Sequence, residues 1–141
     1  MKNEQPSLRV LVAGGNQGFL SVVRTWLERQ PHIDDVQCAQ SGAAALDATA
    51  SDEIDLVLVD SMLGDMDEFE LMRRLKVRSR APVVVLLVLF DYAAVREQAR
   101  LAGADACVDK SALTRDLGPL LAGFGGRFRS DRPPGKPRSS V

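Results

Sequence analysis

Residues 55–71 read DLVLVDSMLGDMDEFEL, and the first half of that stretch decides the fold. With Ile54 it forms IDLVLV, a short apolar run rich in β-branched residues that closes on a single carboxylate, Asp60. Such a run suits a strand buried on both faces of a parallel sheet. Two more runs of the same kind flank it at a distance, LRVLVA at 8–13 and APVVVLLVLF at 81–90. VQCAQ at 36–40 and DACVD at 105–109 are weaker strand candidates, placed nearer the sheet edges.

Segments with helical spacing lie between these runs. Phe19, Val22, Val23, Trp26 and Leu27 fall on one stripe of an amphipathic helix. Ala43, Leu46 and Ala50 mark a small-residue helix behind Ser41, a good N-cap. Met66, Phe69, Met72 and Leu75 form a third stripe, backed by Arg73, Arg74, Lys76, Arg78 and Arg80, charges favoured near a helix C-terminus. Val95, Ala99 and Ala102 form a fourth, with Asp91 to cap its start and Gly103 to end it; Leu113, Leu117, Leu120, Leu121 and Phe124 form a fifth after Ser111. Strand and helix alternate five times, which predicts a doubly wound parallel α/β sheet with helices on both faces. Gly118-Pro119 predicts a kink or break in the fifth helix.

The length of 141 residues suits one domain, and 45% hydrophobic with 26% charged residues is ordinary for a soluble one. The expected division is a folded domain over 1–124 and a disordered, basic tail over 125–141, where Gly, Pro, Arg and Ser replace any periodicity. Arg127, Arg129, Arg132, Lys136 and Arg138 face only Asp131 in that tail, so the rest of the chain is acidic. That balance is not the profile of a nucleic-acid-binding domain. The N-terminus carries no apolar signal core, and no run is long enough to span a bilayer, so a cytoplasmic protein without membrane partners is expected. Cys38 and Cys107 fall on strands at opposite edges, too far apart to bond and expected to be small apolar packers.

Sites in such sheets form at the carboxyl ends of the strands. Asp60 closes one strand and Lys110 another, and a buried-rim carboxylate calls for a counter-charge, so an ion pair between them is expected. The first strand runs into Gly14, Gly15, Asn16, Gln17 and Gly18. A glycine-rich turn into a helix can cradle an anion on backbone N–H groups, which leaves an anion- or nucleotide-binding module open as a reading. The stretch lacks the full dinucleotide fingerprint.

Two segments in the right order resemble the receiver domains of two-component response regulators. One is the acceptor-strand stretch quoted above; the other is Gly103-Ala104-Asp105-Ala106-Cys107-Val108-Asp109-Lys110-Ser111, similar to the family's lead into its strand-five lysine. The likeness covers about residues 7–124 and implies a flavodoxin-like (βα)5 fold with strand order 2-1-3-4-5. It places Asp60 where family members accept a phosphoryl group from a histidine kinase, and Lys110 where they hold that group and the carboxylate. It also implies an Mg²⁺ ion held by an acidic pair ending strand one, by the acceptor, and by the backbone carbonyl of Met62.

The chain departs from that pattern at the supporting positions. Gly14 and Gly15 stand where the acidic pair belongs, Leu87 in place of the switch Ser/Thr, Cys107 in place of the switch aromatic, and Gly64 and Glu68 in place of the loop proline and glycine. Mg²⁺ is held by few carboxylates plus water and phosphate, so losing two acids at once predicts weak or absent binding and no intact metal site. Asp65 and Asp67 read as a solvated turn. The expected function is therefore a single-domain, atypical receiver that acts by protein contact, with weak or no Mg²⁺-dependent phosphorylation. The resemblance points to the face of helix four, strand five and helix five for a histidine kinase, another regulator or a second copy of the chain. A functional phosphoacceptor at Asp60 is the alternative. Returning acids at 14 and 15 is expected to restore Mg²⁺ binding.

Overall fold

The computed structural model of the chain describes residues 7–89 and 93–131. The apolar runs become strands β1 (Leu8–Ala13), β2 (Ile33–Ala39), β3 (Leu56–Val59), β4 (Val83–Val88) and β5 (Ala106–Asp109). They form one parallel sheet in the order β2-β1-β3-β4-β5. Between and after them run helices α1 (Gln17–Glu28), α2 (Gly42–Ser51), α3 (Glu68–Lys76), α4 (Ala93–Ala102) and α5 (Leu113–Asp131).

Alternation along each strand divides the core into two layers. Leu56, Leu58, Val85, Leu87 and Val108 face α1 and α5, where Leu20, Val23, Leu27, Leu117 and Leu121 meet them. Val57, Val59, Val84, Leu86 and Val88 face the other way, onto Ala45 of α2, Leu71, Met72 and Leu75 of α3, and Ala99 and Ala102 of α4. Every residue of β3 and β4 is buried, so neither strand shows a polar face. Burial of each such Leu or Val contributes about 1.5–3 kcal/mol, and this continuous packing holds the strand ends in register.

Local capping sets the helix starts. Ser41 accepts a hydrogen bond from the Ala44 N–H at 3.0 Å, and Asn16 accepts one from Phe19 at 2.9 Å. Asp67 caps α3 by accepting from the Glu70 N–H at 2.8 Å. Gly103 takes φ +104 and ends α4, a left-handed conformation that glycine adopts cheaply.

The structure revises several expectations. α5 continues through Gly118-Pro119 to Asp131, so the boundary at 124/125 does not stand and the helix takes in the first seven residues of the expected tail. Leu117 and Leu121, one turn apart, anchor α5 in the core while Pro119 sits on its exposed side, where its missing N–H costs least. Residues 132–141 lie outside the described residues, as does Asp91, the expected cap of α4. Val22 is 69% exposed and not part of the α1 stripe; Leu20 takes the core position instead. In α3 the buried set is Leu71, Met72 and Leu75, because the helix starts at Glu68 and leaves Met66 in the preceding loop. Cys38 is exposed on edge strand β2 and packs less than expected; Cys107 is half-buried on β5, and both are free thiols.

Candidate functional site

β1 and β3 end level, Ala13 pairing with Val59, while β4 runs two residues past the Val59–Leu86 pair to end level with β5, where Val88 pairs with Asp109. Asp60 is the next residue after β3, and its N–H donates to the Ala13 carbonyl at 2.8 Å. Among the described residues it is the one buried charged residue, only 3% exposed. Lys110 opens a short 3-10 turn after β5, steadied by Asp109, whose carboxylate accepts from the Ser111 N–H at 2.9 Å.

The expected ion pair is present. Lys110 Nζ lies 3.0 Å from Asp60 Oδ1 and 3.2 Å from Oδ2. Oδ1 also accepts from the Ser61 N–H at 2.8 Å. The same ammonium sits over the Phe19 ring, 4.2 Å from its centroid, a cation–π contact that ties the start of α1 to β5. One carboxylate and one ammonium thus face each other with an aromatic wall behind the cation. Sequence reasoning placed Phe19 only in the core stripe, and nothing local in the sequence marks its second contact.

One step beyond the Val59–Leu86 pair, Leu87 lies beside Asp60, 1% exposed and packed with Leu58 and Val108. Cys107 packs on the opposite sheet face. Gly14 is buried against Asp60: a Cβ there would lie 3.0 Å from Asp60 Cβ and 3.3 Å from Oδ2. Gly15 is exposed, yet backbone stands where its Cβ would go. A Cβ built on it would overlap the Met62 carbonyl oxygen. Met62 itself holds φ +65, a left-handed conformation, with its side chain 83% exposed.

This donor set fits a divalent cation poorly. Asp60 supplies the one carboxylate and already pairs with Lys110. No group of three or more His, Cys, Asp or Glu residues among the described residues could hold a metal. Asp65, read from sequence as solvated, instead clamps α2: its carboxylate accepts from the Gly42 N–H at 2.8 Å and from Ala43 at 2.9 Å. These bonds, Ala43's first, hold its carboxyl below the usual carboxylate range. In the 14–18 loop, the Gly14 N–H already donates to Ala39 and the Phe19 N–H to Asn16, so two donors an anion would use are engaged.

A doubly wound sheet with a buried acid after its central strand and a lysine after its edge strand defines a class of α/β domain whose chemistry sits at the strands' carboxyl ends. Residues 10–121 match the response regulator receiver domain family, and the chain belongs to that family. It is 31% identical over 110 residues to the heme response regulator HssR of Staphylococcus epidermidis, covering 78% of this chain and 48% of that protein. The chain therefore spans about half the length of that relative. Among solved structures it resembles the signal receiver domain of an HD domain-containing protein from Pseudomonas fluorescens, with TM-score 0.79, 21% identity, and 94% and 95% of the two chains covered. The receiver domain of Ssk1 from Saccharomyces cerevisiae, solved with the histidine phosphotransfer protein Ypd1, gives TM-score 0.78 at 15% identity, covering 89% and 94%. No helix among the described residues is long and apolar enough to cross a membrane.

Proposed function

We propose that the chain serves two-component signalling as an atypical receiver that works through protein contact, with little contribution from Mg²⁺ or from phosphorylation of Asp60. The observation that carries this reading is the charge count at the strand ends. Asp60 is paired one-to-one with Lys110, and the positions that the family fills with acids hold Gly14 and Gly15. Phosphoryl transfer to a carboxylate brings anions together and needs a bridging cation, for which this site offers few oxygen donors. Leu87 and Cys107 carry neither the hydroxyl nor the ring that would relay a phosphoryl group's arrival. The partner surface remains α4, β5 and α5, where Leu101 of α4 is 70% exposed. A histidine kinase or a histidine phosphotransfer protein is the partner class that the family suggests.

Incubation with acetyl phosphate and Mg²⁺, followed by intact mass measurement, tests the reading. The expected spectrum shows the unmodified chain. A single-phosphoryl adduct that disappears in Asp60→Asn would replace this proposal with an ordinary phosphoacceptor.

A further inference from the structure

The glycine-rich turn from β1 into α1 and the Asp60–Lys110 pair meet at Phe19. We infer that Phe19 is a positioning residue of that pair: its ring face holds the Lys110 ammonium against Asp60, and the Gly14–Gly18 turn is the support that sets the ring there. The first turn of α1 then belongs to the site, and whatever shifts that turn loosens Lys110. This goes beyond the functional reading and holds whether or not Asp60 takes a phosphoryl group.

Three observations support it. Asp60 stands level with Leu87, and Lys110 lies one step beyond the Val88–Asp109 pair, so the lysine crosses the end of β4 on a flexible four-carbon stem. Such a stem needs several contacts to keep one rotamer, and the ammonium has them on two sides: Asp60 oxygens at 3.0 and 3.2 Å, and the Phe19 ring centroid at 4.2 Å. The ring in turn is placed by backbone. The Phe19 N–H donates to the Asn16 side-chain oxygen at 2.9 Å, and the Leu20 N–H to the Asn16 main-chain carbonyl at 3.0 Å. Before Asn16, the Gly14 N–H donates to Ala39 at 3.0 Å and pins the turn to β2. A Cβ at Gly18 would lie 3.3 Å from Asn16 Oδ1, so a side chain there would crowd the cap that holds Phe19.

Phe19 also packs against the core between the sheet and α1 and α5, and packing alone asks only for an apolar side chain. The test therefore alters the ring's electrons at nearly constant volume. Phe19 is replaced by mono-, di- and trifluorophenylalanine, which withdraw charge from the ring face. The same series in Lys110→Met removes the change in hydrophobicity that fluorine brings. In urea unfolding, the trifluoro ring should lower the folding equilibrium constant about two- to fivefold more with Lys110 present than in Lys110→Met. Responses that agree to within about twofold overturn the inference. If Lys110→Met folds too poorly for the series, proton NMR decides. The Lys110 ε-methylene protons should resonate upfield of their free-lysine position, a ring shift identified by its loss in Phe19→Leu. Asn16→Ala should move that signal back toward the free-lysine position. No upfield shift in the unaltered chain, or a signal that Asn16→Ala leaves in place, refutes the arrangement. The phosphodonor assay on the unaltered chain judges the functional reading separately.

Discussion

Replacing Lys110 by Met should destabilise the fold by about 2–4 kcal/mol, because it leaves the Asp60 carboxylate buried without a counter-charge. The magnitude follows from the geometry. The Asp60 side chain is 4% exposed and Lys110 22%, so solvent screens the pair from one side only. Removing one partner of a fully buried pair costs about 3–5 kcal/mol, and the exposure of Lys110 places this pair toward the lower part of that range. About 1 kcal/mol of the cation–π contact with Phe19 is lost as well. Asp60→Asn should also destabilise, since it strands the ammonium instead. The double variant Asp60→Asn/Lys110→Met should recover much of the sum, with a coupling of about 2 kcal/mol in a double-mutant cycle from urea unfolding. The sign distinguishes this site from one with three carboxylates facing one lysine, where neutralising an acid relieves repulsion. A coupling below about 0.5 kcal/mol, or a stabilised Asp60→Asn, would refute the charge-balance argument.

Asp65→Asn should lower stability at neutral pH by weakening the clamp on α2. Because the folded-state pKa of Asp65 lies below its unfolded value, its contribution is present above the unfolded pKa of about 3.9 and is lost as pH falls through the folded pKa. The gap between wild type and Asp65→Asn in urea midpoints should therefore close below about pH 4; a gap constant with pH would contradict the clamp. Asp105→Ala should cost about 2–3 kcal/mol in chemical unfolding, since its Oδ2 accepts from Lys76 Nζ at 2.9 Å and from the Val84 N–H at 2.8 Å, tying α3 to β4. Gly123→Ala should stabilise by about 0.5–1 kcal/mol by thermal melting, because beyond its chain neighbours and the helix's own backbone nothing lies within 4 Å of the added Cβ, and α5 runs through the position. A loss of stability there would show that α5 needs glycine's freedom at that turn.

The fold was legible because its central strands are buried on both faces and so read as unbroken apolar runs. LRVLVA matched β1 residue for residue, and IDLVLV and APVVVLLVLF were only trimmed at their ends. The Asp60–Lys110 pair was legible for a related reason: a charge closing an apolar strand must find its opposite nearby. What escaped was side-chain work done across long sequence distance. Asp65 serves the N–H groups of residues 23 and 22 positions earlier, and Asp105 serves Lys76 from 29 positions away. Neither contact leaves a local pattern. The expected tail failed differently: Gly118 and Pro119 are unfavourable in isolated helices, but Leu117 and Leu121 bury one side of α5 and tertiary packing outweighs propensity.

Gly15 is the clearest case of a residue whose type was legible and whose reason was not. From sequence it is an absent carboxylate, a statement about charge. In the structure it is an absent side chain, a statement about volume, because the space is taken by a backbone carbonyl from a methionine in a left-handed conformation. Methionine gives no hint of that conformation, since the signal for φ above zero is ordinarily glycine or asparagine.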